Sequence, residues 1–73
     1  NDWVCVFESH LPWQAELNRV YLEENGVPAI VLNQQDSSYQ VFGTLRLLVP
    51  ANDQLTAEAL LLAKEMNMNN LTQ

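Results

Sequence analysis

The side chains that could do chemistry are few and scattered in this chain of 73 residues. Glu8 and His10 could form an acid–base pair or supply two metal ligands, but a metal site usually needs three or four protein ligands. We therefore interpret His10 as a residue at the entry of a helix. Cys5 could act as a nucleophile only beside a base. Because its alternating neighbours are Trp3 and Phe7, we expect a buried or half-buried thiol.

The remaining candidates for catalysis lack the surroundings that their chemistry needs. Ser37 and Ser38 have no Gly-x-Ser-x-Gly setting, and the chain holds one His to activate either serine. With two glycines, Gly26 and Gly43, it has no glycine-rich loop for phosphate. The sequence thus predicts no catalytic, metal-ligating or cofactor-binding residues. We expect a non-catalytic interaction or regulatory domain, with a small enzyme or an enzyme's accessory subunit as the alternative.

One polar stretch, NQQDSSYQVFG at residues 33–43, separates two apolar runs. Eleven residues are long for a hairpin connection, which usually has about two to five. Its aromatic residues and glutamines suit contact with a protein partner better than chemistry. The residues of this partner-binding hypothesis are Tyr39, Phe42, Gln34, Gln35 and Gln40. The alternative is that Phe42 begins the third strand and packs inside, so that the stretch is only a connection.

Charge and hydropathy exclude several classes of function. The formal net charge is −6, with nine acidic residues against Arg19, Arg46 and Lys64. Three scattered cations cannot neutralise a row of phosphates, so we expect neither nucleic acid nor an acidic membrane surface as a ligand. No apolar stretch approaches 18 residues and no basic start precedes an apolar block, so we expect no transmembrane helix, no signal peptide and a cytoplasmic location.

The pattern of apolar residues predicts a single domain over residues 1–73, with the order strand, helix, strand, strand, helix. The strands are expected at Trp3–Phe7, Ala29–Leu32 and Thr44–Val49. The first helix is expected from Pro12 to Asn25, capped by Ser9 or His10 and ended by Gly26-Val27-Pro28. Its expected buried stripe is Trp13, Leu17, Val20 and Tyr21, widened by Ala15 and Leu22, with Trp13 more favoured as a core anchor than as an exposed contact.

In the third strand, Leu45, Leu47 and Val49 should face the core. The second helix should begin near Asn52 or Asp53, and its expected buried stripe is Leu55, Ala59, Leu62, Ala63 and Met66. The tail, residues 67–73, is expected to be irregular. These elements predict an α+β fold, a ferredoxin-like βαββα half-sandwich with a three-stranded sheet and two helices on one face. The first strand should lie beside a parallel neighbour through a helical crossover.

The segments FESHLPWQAELNRVYLEENGVPAIVLN and GTLRLLVPANDQLTAEALL resemble a bacterial family, the putative prokaryotic signal transducing proteins. The matching motifs are Ala15-Glu16-Leu17, the helix exit through Gly26-Val27-Pro28-Ala29, and Leu47-x-Val49-Pro50. The resemblance covers Trp3 to Lys64 and implies a fold like that of the nitrogen-regulatory PII proteins. It also implies a contact role for the loop between the second and third strands. Since PII nucleotide sites need several basic residues and glycines, we expect that ATP and related nucleotides do not bind with useful affinity.

The sheet itself predicts a second kind of contact. Two helices cover one face, yet the strands are apolar on both faces: Val4 and Val6 oppose Trp3, Cys5 and Phe7, and Ile30 and Leu32 oppose Ala29 and Val31. The chain also lacks the last strand of a ferredoxin-like sheet, which leaves an open edge. We therefore expect a homo-oligomer or a docked protein at this face or edge. The alternative is that the tail from Asn67 folds over the face.

Overall fold

The computed structural model describes residues 2–34 and 43–71, and its elements follow the order strand, helix, strand, strand, helix. This order confirms the α+β class and the βαββα arrangement that the sequence predicts. A short 3-10 turn at Ala51–Asp53 precedes the second helix. The other elements are β1 (Trp3–Ser9), α1 (Pro12–Glu24), β2 (Ile30–Gln34), β3 (Thr44–Pro50) and α2 (Gln54–Leu71).

The sheet has the strand order β1-β3-β2, and β3 runs antiparallel to both of its neighbours. This is the ferredoxin-like arrangement of the first three strands. β1 and β2 are parallel to each other but do not pair, so the expectation of a directly adjacent parallel strand is wrong. The crossover through α1 leaves a gap one strand wide, and β3 fills it because the chain turns back after β2.

Both helices pack on the same face of the sheet and form the core there. Leu45, Leu47 and Val49 of β3 all point into this core, as their alternation predicts. Leu47 and Val49 are completely buried, and so are the helix residues Leu22 and Ala57 that face them. The buried cluster therefore joins the central strand to both helices, which fixes the sheet and the helices as one unit.

The two ends of α1 follow from local hydrogen bonds. The N-cap is Leu11, not the expected Ser9 or His10, and Pro12 occupies the first helical position. The Ser9 hydroxyl accepts a 2.9 Å bond from the Leu11 N–H and donates a 2.7 Å bond to Gln14 Oε1, which fixes the turn into the helix. At the exit, Gly26 has φ 86°.

The buried stripe of α1 keeps Ala15 and Leu22 of the predicted stripe but not its central residues. Ala15, Asn18 and Leu22 are buried, whereas Trp13 is 61% exposed, so the interpretation of Trp13 as a core anchor is wrong. Leu17 and Val20 are also exposed, and Tyr21 is half-buried. The physical reason is size: the small Ala15 and Asn18 side chains let the helix axis come close to the sheet, where larger side chains would hold it away.

The buried stripe of α2 also differs from the predicted one. Ala57 is completely buried and Leu60 and Leu61 pack against the core, while Leu55 is 80% exposed. The rest of the predicted stripe is exposed too: Ala59, Leu62, Ala63 and Met66. This helix has apolar residues on more than one side, so periodicity alone allows either of two sides to face the core. Packing against the sheet selects one of them.

Several element boundaries differ from the expectation, most clearly the ends of α2, β1 and β2. α2 continues to Leu71, so the tail is not irregular from residue 67; an asparagine in an existing helix costs only tenths of a kcal/mol. β1 continues to Ser9. β2 includes Asn33 and Gln34, which pair with Leu45 and Thr44, so the connection to β3 spans residues 35–43 rather than 33–43.

Candidate interaction face of the sheet

The face of the sheet opposite the helices carries a compact set of apolar side chains around one ion pair. Because side chains alternate along a strand, the residues of β3 that do not face the core lie here, together with their cross-strand partners. We call this surface the open face; it consists of Trp3, Cys5, Glu8, Ile30, Leu32, Arg46, Leu48 and Pro50.

Cross-strand pairing arranges these side chains in rows. Leu48 lies between Cys5 of β1 and Ile30 of β2, and Trp3 lies opposite Pro50. Trp3 is 43% exposed and Ile30 is 44% exposed. In the described part of the chain both helices lie on the other face, and residues 67–71 continue α2 rather than fold back as an irregular tail. The expectation of an apolar second face is thus confirmed for the described residues.

A β-bulge at Val6 decides which residues of β1 belong to this face. Cys5 pairs with Leu48 and Phe7 pairs with Leu47, so Val6 is an extra residue in β1. Phe7 therefore turns to the helix side and packs against the core beside Val6. The expectation that Phe7 shares a face with Trp3 and Cys5 is wrong for this reason.

The bulge also places Glu8 on the open face, opposite Arg46. Arg46 Nε lies 3.1 Å from Glu8 Oε2, and both side chains are about half exposed. The Arg46 Nε atom itself is buried and makes no well-aligned hydrogen bond to any described residue. The pair balances charge by proximity rather than through a directional hydrogen bond. Such a pair stabilises a fold by about 0–1 kcal/mol.

The candidate chemical residues do not come together. Glu8 lies against Arg46 rather than His10, and His10 lies just before α1, at the helix entry that the sequence predicts. Cys5 is exposed and lies on the open face opposite Leu48, so the expectation of a buried or half-buried thiol is wrong. Within residues 2–34 and 43–71, no three His, Cys, Asp or Glu side chains are grouped closely enough to hold a metal ion.

The predicted partner-binding residues fall mostly outside the described ranges. Gln35, Tyr39, Gln40 and Phe42 are not among the described residues, so their role stays a prediction. Gln34 is the last residue of β2 and pairs with Thr44 at the start of β3. The connection between β2 and β3 therefore starts and ends at neighbouring positions, at one end of this strand pair.

Sequence reasoning missed the ion pair of the open face. Leu48 and Arg46 alternate with core residues in β3, which was signal enough to place both on the second face. The partner of Arg46 could not be found in this way, because the bulge that brings Glu8 opposite it has no clear sequence signature.

Comparison with known proteins gives one assignment. No curated protein and no solved structure matches the chain. In the described residues, neither helix is both long and apolar enough to cross a membrane. A family model described as putative prokaryotic signal transducing protein matches residues 3–67, from the first residue of β1 into α2. The chain therefore belongs to the family of putative prokaryotic signal transducing proteins, in agreement with its sequence motifs.

Proposed function

We propose that this domain works in bacterial signal transduction by protein–protein contact and without catalysis. The observation that carries the proposal is the open face, where apolar side chains of all three described strands are presented to solvent. A sheet with one solvated face usually alternates apolar with polar residues. Contiguous apolar surface on a soluble domain usually marks a contact site.

A second copy of the chain is the occupant that the charges favour. The chain carries a net charge of −6, so two copies repel each other over most of their surfaces. Acidic residues of the helices, such as Glu16, Glu23 and Glu58, lie away from the open face. On the open face, Glu8 and Arg46 balance each other. Two copies can thus approach face to face at the place where repulsion is least.

The size of the open face limits the strength of this contact. Seven-residue strands span roughly 23 Å, and three strands span roughly 14 Å across. Such a surface is smaller than the roughly 800 Å² per partner of a standard stable interface. We therefore expect weak, reversible association, with a dissociation constant on the order of 10–1,000 micromolar. A regulatory contact that forms and dissolves with concentration fits this range.

NMR spectra recorded over a concentration series test the face directly. Amide signals of β2 and β3 should move as concentration rises, because these strands carry the open-face residues Ile30, Leu32 and Leu48. Signals from the solvent side of α2, around Leu55, should stay in place because that surface is not involved. Equal shifts over the whole chain, or shifts confined to α2, would rule out the open face as the contact.

The connection at residues 35–43 is the proposed contact site for a different protein. The support is its place between β2 and β3, which matches the partner-binding loop of PII-like proteins, and its content of Tyr39 and Phe42. Glutamines 34, 35 and 40 would supply polar contacts.

The double variant Tyr39→Ala with Phe42→Ser should keep the fold and lose this partner. Circular dichroism should give the wild-type helix content, because the core of Leu22, Leu47 and Val49 is unchanged. Cross-linking in the native cell, followed by mass spectrometry, should recover a partner with the wild type and with Leu55→Ser, but not with the double variant. An unfolded double variant, or one that recovers the same partner, would show that the stretch is only a connection.

A further inference from the structure

A groove lies between α1 and α2, on the opposite side of the sheet from the open face. Its volume is about 420 Å³, and the half-buried Val6 and Phe7 of β1 line it together with both helices. The bulge that turns Phe7 away from the open face thus brings an apolar ring to this groove. Trp13, Leu17 and Leu62 also line it and are exposed, so large apolar side chains meet solvent along its length.

The residues that the two helices contribute follow helical spacing. On α1, Trp13 and Leu17 are four residues apart. On α2, Glu58, Leu62 and Glu65 are spaced by four and then three residues. Residues three or four apart form ridges along a helix, and the channel between two ridged helices accepts the side chains of a third helix. The shape of the groove therefore favours a helix as its occupant.

The polarity of the lining favours the same occupant. Its apolar residues are Val6, Phe7, Trp13, Leu17, Leu61 and Leu62. A helix satisfies its backbone hydrogen bonds internally and can lie against such a lining, whereas an extended segment brings backbone groups that need partners. Gln14, one of the polar residues at the groove, already uses its Oε1 atom to accept a 2.7 Å hydrogen bond from Ser9.

The charges at the groove are carried by α2. Glu58 and Glu65 are exposed carboxylates seven residues apart, or about 10 Å along the helix axis. Within residues 2–34 and 43–71, no ion pair to either carboxylate occurs, and the uncharged Gln54 side chain donates a 3.3 Å hydrogen bond to Glu58. Lys64, a cation at the groove, lies with its Nζ 6.0 Å from the centre of the Tyr21 ring. The α2 wall thus presents two carboxylates on either side of apolar side chains.

A second copy of the chain does not carry the complementary charges. The cations of its described helices are Arg19 and Lys64. Arg19 already contacts Glu16 and Glu23 of its own helix. Neither helix has two basic residues seven apart, so the occupant that fits the groove is a different protein.

We propose that this groove docks an amphipathic, basic α-helix of a partner protein. Apolar side chains of that helix pack between Trp13, Leu17 and Leu62, and two Lys or Arg residues seven apart lie against Glu58 and Glu65. The net charge of −6 attracts such a helix, and the two carboxylates fix its position. The proposal goes beyond the pairing of two copies through the open face and does not depend on it.

Calorimetric titration of the whole chain with a synthetic peptide of about 18 residues tests the proposal. The peptide carries leucines at helical spacing on one side, two lysines seven apart beside them, and uncharged residues elsewhere. It should bind saturably, gain helix content by circular dichroism on binding, and bind more weakly as salt is added. A peptide with glutamates in place of the lysines, and one with the lysine peptide's composition in scrambled order, should bind at least about tenfold more weakly.

Variants of the chain locate the site. Trp13→Ala, at an exposed position, should keep the fold and weaken binding of the lysine peptide about tenfold or more. Glu58→Gln with Glu65→Gln should weaken it about three- to tenfold. Asp2→Asn with Glu24→Gln removes the same charge outside the groove, and its binding should stay within about twofold of the wild type.

Ile30→Ser, on the open face, separates this proposal from the pairing of copies, because it should bind the lysine peptide as the wild type does. An Ile30→Ser variant that no longer binds would place the peptide on the open face and overturn the proposal. So would the absence of saturable binding at millimolar concentration, binding without a gain of helix, or equal binding of the scrambled peptide. Unchanged binding by Trp13→Ala, or equal weakening by the two charge variants, would overturn it as well.

Discussion

Leu47 is the residue on which the sheet and both helices converge, and its side chain is fully buried. Leu47→Ala should lower the free energy of unfolding by about 2–5 kcal/mol, because it removes buried methyl groups and leaves a cavity. Leu55→Ala makes the same chemical change at a site that is 80% exposed, and should stay within about 0.5 kcal/mol of the wild type. Urea denaturation at low micromolar concentration measures both. Equal losses in the two variants would show that the core is not where we place it.

The contact between Arg19 and Glu16 makes the stability of α1 depend on the protonation of Glu16. It contacts Glu16 and donates a 2.7 Å hydrogen bond to Glu23. The hydrogen bond from Arg19 holds the pKa of the Glu16 carboxyl below its ordinary value. A lowered carboxyl pKa stabilises the fold above the unfolded-state pKa, and this contribution is lost as the pH falls through the folded-state pKa.

Arg19→Gln should therefore raise the titration midpoint of Glu16, which NMR of the side-chain carboxyl can follow. The variant should be less stable than the wild type near neutral pH, and the difference should shrink as the pH falls below the ordinary titration range of a carboxyl group. The effect should also fall with added salt, because the pair is at the surface. A Glu16 midpoint that is the same in both proteins would contradict the assigned cause.

At the scale of the elements, the exit of α1 depends on one backbone conformation. Gly26 has φ 86°, and a Cβ added there would meet no atom within 4 Å. The cost of Gly26→Ala is thus conformational rather than steric, and we expect a loss of about 1–2 kcal/mol. Gly26→Asn should lose less, since Asn tolerates the left-handed region better. Thermal unfolding of both variants checks this order; an Ala variant as stable as the wild type would contradict it.

The elements also show what the sequence could and could not predict. Pro12, Gly26 and Pro50 mark the ends of elements through local chemistry, so the order of strands and helices was predictable. Which side of α2 faces the core was not predictable, because apolar residues occur on several of its sides. Only packing against the sheet selects Ala57 rather than Leu55 for burial. The bulge at Val6 was not predictable from the sequence either, since it depends on the pairing of β1 with β3.

For the candidate site as well, features set by local sequence were predictable and features set by long-range packing were not. The apolar second face followed from Ile30 and Leu32 alone, because alternation along a strand is a local property. The Glu8–Arg46 pair and the burial of Asn18 depend on how distant parts of the chain meet, and no local pattern encodes them. Exposure of Cys5 and Trp13 was missed because residue type predicts burial only on average.

At the scale of the whole molecule, the domain has two different sides. One side carries the helices and most of the described acidic residues, and the other presents the charge-balanced open face. This asymmetry supports the proposed self-association, since it combines repulsion over most of the surface with apolar contact at one face.

Light scattering at increasing protein concentration tests the central claim, that the open face pairs two copies. The wild type should rise from the mass of one chain toward the mass of two. Ile30→Lys, which puts an unpaired charge on the open face, should stay at one chain, whereas Leu55→Lys puts the same charge on the solvent side of α2 and should behave as the wild type does. A wild type that keeps the mass of one chain at millimolar concentration, or an Ile30→Lys variant that still associates, would contradict the account.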